Sequence, residues 1–188
     1  MEKGADLTSF STERLYVRFI ERSDIAALLE YQSDPEVVRF IPWPVRDRDQ
    51  VEEAIEKYQT LTKLDTEGDY LMLALCRKED GQVIGQLNAM YRSAAHQSAE
   101  FGYVLNPRFG GKGYATEAAR ALVTSLFATE NFHRIFAKMD ARNTASERLC
   151  KRLGLRKEAH FKEDEWFKNE WTDTLIYSVL KNEWPSAL

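Results

Sequence analysis

The spacing of apolar residues changes period along the first third of the chain. Residues 14–20 (RLYVRFI) alternate apolar and polar positions, which predicts a half-buried strand. Residues 22–34 are typical of a helix that begins at the N-cap Ser23 and is ended by Pro35. Residues 47–64 predict a long amphipathic helix, whose apolar face is formed by Val51, Ala54, Ile55, Tyr58 and Leu61.

The rest of the chain alternates between the two periods. Residues 69–92 predict two strands joined by a turn at Glu79, Asp80 and Gly81, and residues 98–105 predict a third strand. Residues 113–130 predict a helix, residues 132–140 a strand, and residues 143–154 a short helix that begins at Asn143 and ends at Gly154. Residues 159–180 predict two closing strands around a polar turn.

This order of elements predicts the fold class. Strand, two helices, three strands, helix, strand, helix and two strands are typical of an α/β (α+β) domain. We expect a mixed, mostly antiparallel sheet of about seven strands, flanked by about four helices. Since no segment has the composition of a linker, the prediction is one domain over residues 1–188, with its core at about residues 12–181.

Composition and charge narrow the class of function. Hydrophobic residues make up 44% of the chain, and the net charge of −4 argues against direct nucleic-acid binding. No apolar run approaches the ~20 residues of a membrane span, and the N-terminus lacks the pattern of a signal peptide. Two lone cysteines, Cys76 and Cys150, fit a reducing compartment, so we expect a cytoplasmic protein. His96, His133 and His160 lack the spacing of a metal site, and we expect no metal.

A glycine-rich stretch carries the clearest chemical signal. Gly110, Gly111 and Gly113 surround Lys112, directly after a predicted strand and directly before a predicted helix. Glycines let the backbone approach a ligand closely, and the start of a helix offers free N–H groups and a positive dipole end. The stretch therefore predicts a phosphate-binding loop, with a solvated turn as the alternative.

Two well-known phosphate motifs do not fit this loop. A P-loop requires glycine where Asn106 stands, and serine or threonine where Gly113 stands. The dinucleotide-binding motif requires glycine where Thr116 stands. The sequence thus indicates neither a P-loop nucleotide hydrolase nor a Rossmann dehydrogenase.

The loop and a later segment together resemble a known family. The stretch GGKGYATEAARAL is followed, about thirty residues later, by NTASERLCKRLGL and then by EWTDTLIYSVL. This combination resembles the GNAT superfamily of acetyl-CoA-dependent N-acetyltransferases. These segments are similar to those of the branch that includes the ribosomal-protein N-terminal acetyltransferases (RimJ/RimL-like). The resemblance covers nearly the whole chain.

The resemblance implies where acetyl-CoA binds. The glycine loop corresponds to the family's pyrophosphate loop, Gln/Arg-x-x-Gly-x-Gly/Ala, and the preceding strand end to its pantetheine-binding strand. The implied contact residues are Tyr103, Val104, Leu105, Arg108, Gly110, Gly111, Lys112, Gly113, Tyr114, Ala115, Thr116, Asn143 and Ser146. Counted from Pro107, the Gln/Arg position falls on Gly110, so Arg108 is either its replacement or an exposed residue.

The resemblance also implies catalytic roles. Glu100 is expected to deprotonate the amine, with a surface salt bridge as its alternative role. The family's proton-donating tyrosine, seven residues past Asn143, is replaced by Cys150, so Ser146 and Cys150 compete as the acid that protonates the leaving thiolate. Tyr114 can instead be a packing residue at the helix start, and Trp43 either borders the acceptor site or packs in the core.

Two functions follow from the sequence. The first is an enzyme that transfers an acetyl group from acetyl-CoA to a primary amine, carried by a small molecule or a protein N-terminus, by direct attack on the thioester. The second is a catalytically degenerate module that holds CoA as a sensor or scaffold. Neither function requires a membrane, and both allow a homodimer.

Overall fold

A computed structural model describes residue 7 and residues 9–129 and 131–185, and within them it shows one eight-stranded sheet. The strands are β1 Phe10–Ser11, β2 Leu15–Phe19, β3 Tyr70–Arg77, β4 Val83–Ser93, β5 Ser98–Leu105, β6 Arg134–Asp140, β7 Arg156–Phe167 and β8 Glu170–Leu180. Their order across the sheet is β1-β2-β3-β4-β5-β6-β8-β7. Neighbours are antiparallel except β5 and β6, which are parallel. The prediction of a mixed, mostly antiparallel sheet is confirmed.

Five α-helices cover the two faces of this sheet within the described residues. They are α1 Ile25–Gln32, α2 Pro35–Val38, α3 Arg48–Tyr58, α4 Tyr114–Ala128 and α5 Thr144–Leu153. The structure therefore adds one strand, β1, and one helix, α2, to the predicted set. Both elements are too short to show a hydrophobic period, which is why the sequence pattern did not predict them. The predicted end of the α4 helix, residue 130, lies outside the described residues.

The structure corrects three predicted helix boundaries. The N-cap residue of helix α1 is Asp24, not Ser23. The Asp24 carboxylate accepts two hydrogen bonds of 2.8 Å from the Arg18 guanidinium. Pro35 does not end α1 but begins α2, because proline is favoured at the first position of a helix. Helix α3 ends at Tyr58, well before the predicted residue 64. No helix among the described residues is long and apolar enough to cross a membrane.

Each face of the sheet carries its own core. Leu122 and Val123 of α4 and Leu149 of α5 pack on one face, which we call the α4/α5 face. Leu28 of α1 and Ile55 of α3 pack on the opposite α1/α3 face. Because side chains alternate along a strand, consecutive residues of β5 point to different cores.

Strands β5 and β6 separate soon after they pair. Only Ser98–Glu100 of β5 is paired with β6, through Arg134, Ile135 and Phe136, whereas β6 stays paired with β8 as far as Asp140. Residues 101–105 of β5 therefore have β4 on one side and a gap on the other. This gap positions the functional site.

Candidate active site

A cavity of about 680 Å³ opens at the gap between β5 and β6. It is lined by the end of β5, the glycine loop, the start of α4, the start of α5 and the segment around α2. The structure brings most of the expected contact residues together in this lining: Tyr103, Val104, Leu105, Gly110, Gly111, Gly113, Tyr114, Ala115, Thr116, Asn143 and Ser146. Arg108, Lys112, Glu100 and Cys150 are expected site residues that lie outside it.

The glycine loop presents free backbone donors to the cavity. The first hydrogen bond of α4 runs from the Glu117 N–H to the Gly113 carbonyl (3.0 Å). The N–H groups of residues 111–116 donate to no acceptor in the part of the chain that the structure describes. Gly111 and Gly113 have φ angles of +74° and +84°, which let the backbone turn toward the cavity. This arrangement fits a pyrophosphate group, which needs several N–H donors and the positive end of a helix.

The end of β5 offers a second set of free backbone groups. The Asn106 N–H donates to the Ile84 carbonyl of β4 (2.9 Å). Hydrogen-bonded pairs alternate along an antiparallel ladder, so Tyr103 and Leu105 direct their N–H and C=O groups away from β4 and into the gap. An amide-rich chain such as pantetheine can pair with such groups as an added strand.

The three glycines of the loop differ in backbone conformation. Gly110 has a φ of −62°, whereas the two glycines with positive φ are Gly111 and Gly113. The motif Gln/Arg-x-x-Gly-x-Gly/Ala fits the chain in two registers: one ends at Gly113 and Ala115 and puts Gly110 at the Gln/Arg position, and the other ends at Gly111 and Gly113 and puts Arg108 there. The Arg108 guanidinium here bonds to the Glu30 carboxylate of α1 (3.0 Å) and is largely exposed.

Lys112 is likewise outside the cavity lining. Its backbone carbonyl accepts a hydrogen bond from the Arg14 guanidinium (2.8 Å), and Arg14 in turn pairs with Glu117 (2.6 Å). Arg14 lies over the Tyr114 ring, 4.7 Å from its centroid, and Tyr114 is 7% exposed. The Tyr114 side chain thus packs at the helix start, and Tyr114 also belongs to the cavity lining.

Helix α5 supplies two cations that the sequence analysis did not identify. Asn143 caps this helix, since its side-chain oxygen accepts from the Ser146 N–H (3.1 Å). Arg148 and Arg152 line the cavity one helical turn apart, and the Arg152 Nε donates to the Thr116 hydroxyl (3.1 Å). The spacing of these arginines was a visible signal, because residues four apart share a helix face.

Cys150 is placed in the core rather than in the cavity. Its side chain is 1% exposed and packs in the α4/α5 core. Burial, with a smaller effect of the Glu147 charge, raises the pKa of the Cys150 thiol to about 12. A thiol that is so buried and so weakly acidic fits a packing residue better than a proton donor.

We therefore expect Cys150→Ala to leave acetyl transfer and CoA affinity unchanged. Loss of the buried sulfur should lower the free energy of unfolding by about 1–2 kcal/mol, because it removes packed volume from the core. Steady-state rates and chemical denaturation check both parts. A rate loss of tenfold or more in the folded variant would contradict this placement.

Glu100 sits where β5 and β6 part. It is the last residue of β5 that is paired with β6, and its carboxylate forms an ion pair with Arg92 of β4 (2.5 Å). The alternation along β5 points Glu100 toward the α1/α3 face, opposite to Tyr103. Its side chain is 19% exposed. The ion pair of the alternative prediction is present, and the role of Glu100 as a base stays a prediction.

Helix α2 and the segment that follows it form the remaining wall of the cavity. Glu36, Val37, Phe40 and Ile41 line it, whereas Trp43 does not. Arg46 anchors this segment: its guanidinium donates to the Gln32 side-chain oxygen and to the Tyr58 hydroxyl (both 2.8 Å) and lies 4.7 Å from the centroid of a Trp43 ring.

The tip of the β7–β8 hairpin holds the outer side of the same segment. The Lys168 ammonium donates to the Val38 carbonyl (2.6 Å) and to the Trp43 carbonyl (3.3 Å). Lys168 and Asn169 adopt positive φ angles of 48° and 67°, as the tight turn of a two-residue hairpin requires. The wall is thus fixed from both sides.

Comparison with known proteins identifies the family. Residues 14–156 match the family model of the acetyltransferase (GNAT) domain. The uncharacterised N-acetyltransferase YnaD of Bacillus subtilis (strain 168) is 33% identical over 174 residues, which cover 93% of this chain and 98% of YnaD. The uncharacterised N-acetyltransferase p20 of Bacillus licheniformis is 34% identical over 174 residues, which cover 92% of this chain and 96% of p20.

A solved structure agrees with these relatives. The acetyltransferase (GNAT family) from Bacillus anthracis matches with a TM-score of 0.82 and 30% identity, covering 93% of this chain and 99% of that protein. The cleft described above has the backbone donors that a CoA-binding member of this family needs. The chain belongs to the GNAT acetyltransferase family and is an acetyl-CoA-dependent N-acetyltransferase.

Proposed function

We propose that the acceptor of this enzyme is the free N-terminal amine of a protein, as in the ribosomal-protein N-terminal acetyltransferases. The observation that carries the proposal is the wall beside α2. Val37, Phe40 and Ile41 give this wall an apolar surface, and Glu36 is the one carboxylate in the lining of the cavity among the described residues. One carboxylate beside an apolar wall suits a single ammonium followed by a peptide.

The relatives include examples of two acceptor classes. RimL, a ribosomal-protein α-N-acetyltransferase solved in complex with coenzyme A, has a TM-score of 0.78 to this chain at 19% identity. The spermidine N(1)-acetyltransferase of Escherichia coli (strain K12) is 20% identical over 179 residues. A polyamine carries several ammonium groups and would need several carboxylates to pair them, so the lining of this cavity favours the peptide.

The cleft residues have separate tasks in this proposal. The free N–H groups of residues 111–116 bind the pyrophosphate of acetyl-CoA, which supplies the activated acetyl group, and Tyr103 and Leu105 hold its pantetheine arm. A backbone N–H of β5 polarises the thioester carbonyl. Glu100 accepts the proton of the incoming amine, directly or through water, so that the amine attacks the thioester in one step.

The arginines of α5 give a further expectation for the coenzyme. Arg148→Gln and Arg152→Gln should each weaken CoA binding about tenfold, because each removes a charge-assisted contact to phosphate. The losses should shrink at high salt. Calorimetry measures both effects, and Lys151→Gln is the matched control, since Lys151 is on the same helix but outside the cavity lining and pairs with Glu147. Equal losses in all three variants would contradict the assignment.

A panel of acceptors tests the proposed function. Peptides with free N-termini, the same peptides with blocked N-termini, spermidine and free amino acids are incubated with acetyl-CoA while thiol release is followed. We expect release only with the free peptides, at rates that depend on the first residues. Faster turnover of spermidine than of every peptide would indicate a polyamine acceptor in place of a protein N-terminus. Absence of thiol release with every acceptor would favour the module that holds CoA without turnover.

The cellular location follows from the same proposal. Cys76 and Cys150 are both free and buried, which suits a reducing compartment. Acetyl-CoA and newly made protein N-termini meet in the cytoplasm, and we place the enzyme there.

A further inference from the structure

Thioester cleavage leaves a negative charge on the coenzyme sulfur, and a nearby O–H group can neutralise it. Among the described residues, four hydroxyl-bearing residues line the cavity: Tyr103, Tyr114, Thr116 and Ser146. Tyr114 packs under Arg14, and the Thr116 hydroxyl accepts from Arg152 beside the pyrophosphate loop. Tyr103 and Ser146 remain, and they lie on opposite walls of the same gap.

The Tyr103 side chain lies on the α4/α5 face of the sheet. It packs against the α4/α5 core, to which Cys150 belongs. Burial raises the pKa of the Tyr103 phenol, while hydrogen bonding to the Ser146 side chain opposes that rise, and the charges of Cys150 and Arg152 also act on it. Tyr103 and Ser146 line the same cavity, and Tyr103 packs against the core that holds Cys150.

Cys150 and Tyr103 differ in their access to the cavity. Cys150 is 1% exposed and lies outside the cavity lining, whereas Tyr103 belongs to the lining. A tyrosine hydroxyl is therefore available to the coenzyme from β5, although α5 carries a cysteine at position 150.

We propose that the Tyr103 phenol donates the proton to the departing coenzyme sulfur, with Ser146 orienting the phenol. The inference rests on the proposed function. As the amine nitrogen forms its bond to the acetyl carbon, the carbon–sulfur bond breaks and its electron pair stays on sulfur. The Tyr103 proton passes to sulfur, and the phenolate is reprotonated from water, while Glu100 holds the proton that the amine has lost.

The two proton-handling groups then lie on opposite faces of the sheet. Glu100 points to the α1/α3 face at the apex of the gap, and Tyr103 points to the α4/α5 face three residues later. The acceptor wall of Phe40 and Ile41 belongs to the segment packed on the α1/α3 side. The amine is thus deprotonated on one side of the sheet, and the leaving sulfur is protonated on the other. Glu100 and Tyr103 therefore do not compete for the same proton.

The variant Tyr103→Phe removes the hydroxyl and keeps the ring. We expect kcat to fall about 100-fold, as in other losses of a general acid, with CoA affinity by calorimetry unchanged within about twofold. Ser146→Ala should cost less, because the phenol remains in place. Tyr91→Phe is the matched control: Tyr91 is a buried tyrosine of β4 outside the cavity lining, and its variant should retain the rate.

A second measurement does not depend on turnover. The ultraviolet absorbance of the CoA thiolate, titrated in the bound state, gives the acidity of the bound thiol. The phenol hydrogen bond should stabilise the thiolate, so Tyr103→Phe should lower the acid dissociation constant of the bound thiol about tenfold. Tyr91→Phe should leave that constant unchanged.

The outcomes separate this inference from the proposed function. If the unmodified enzyme acetylates peptides and Tyr103→Phe keeps its full rate and thiol acidity, the inference is overturned and the function stands. If Ser146→Ala carries the whole loss, serine is the donor and the inference is likewise overturned. If the enzyme turns over no peptide, the thiol titration alone decides: a shift only in Tyr103→Phe supports the phenol, and no shift overturns it.

Discussion

Gly111→Val should reduce CoA affinity at least about 100-fold, because two or more charge-assisted hydrogen bonds to phosphate would be lost. Gly111 lines the cavity, and a Cβ built on it meets no atom within 4 Å. The valine side chain would therefore project into the open space in front of the free N–H groups of the loop. Calorimetric titration with CoA measures the loss.

The chain offers a closely matched control for this substitution. Gly81, in the turn between β3 and β4, has a φ of +73° against +74° for Gly111, and its Cβ also meets nothing within 4 Å. Gly81→Val and Gly111→Val should carry the same backbone strain, about 1–3 kcal/mol. Only Gly111→Val should lose the coenzyme. Similar CoA affinity in the two variants would contradict the assignment of pyrophosphate binding to this loop.

Glu100→Gln should lower kcat for acetyl transfer about 100-fold or more, as the loss of a general base does. Glutamine keeps the shape of the side chain but cannot accept the ammonium proton. CoA affinity should change little, since Glu100 lies outside the lining that holds the coenzyme. Steady-state kinetics at several pH values check the rate, and calorimetry checks the affinity.

The ion pair with Arg92 makes a second variant decisive. Arg92→Gln breaks the same 2.5 Å contact but leaves the Glu100 carboxylate in place. If Glu100 is the base, Arg92→Gln should retain most of the rate while Glu100→Gln does not. If the two residues serve only as a salt bridge, both variants should behave alike, with small changes in stability and none in rate.

Local sequence patterns predicted the elements in which a hydrophobic period repeats over several residues. The alternation in β2 and the helical period of α3 and α4 each span several residues, so they predicted those elements, although α3 proved shorter than its pattern. The strand–glycine–helix order predicted the loop, because glycines with positive φ and a helix start leave local marks in a sequence. Asn143 and Gly154 were correctly predicted as the ends of α5.

Contacts between distant segments could not be predicted in this way. The pairing of Arg108 with Glu30 joins residues far apart in sequence, and so does the approach of Lys168 to the carbonyl groups beside α2. The separation of β5 from β6 depends on where pairing stops, which no pattern within either strand encodes. Because this separation could not be predicted, the sequence indicated only that Tyr103 lies at the end of a strand that contacts the coenzyme.

The conformation of the three glycines shows the same limit. The sequence predicted a loop in which all three glycines let the backbone approach a ligand. In the structure, Gly111 and Gly113 have positive φ angles, whereas Gly110 has a φ of −62°. Composition does not indicate which of three neighbouring glycines turns the backbone.

Transfer of acetyl from acetyl-CoA to a protein N-terminus is tested most directly by mass spectrometry of the acceptor after incubation with isotopically labelled acetyl-CoA. We expect labelled acetyl on the N-terminal amine of at least one free peptide, released thiol in equal amount, and neither product with Gly111→Val. Saturable CoA binding by the unmodified enzyme, with no labelled amine from any peptide or small acceptor in the panel, would contradict acetyl transfer by this cleft.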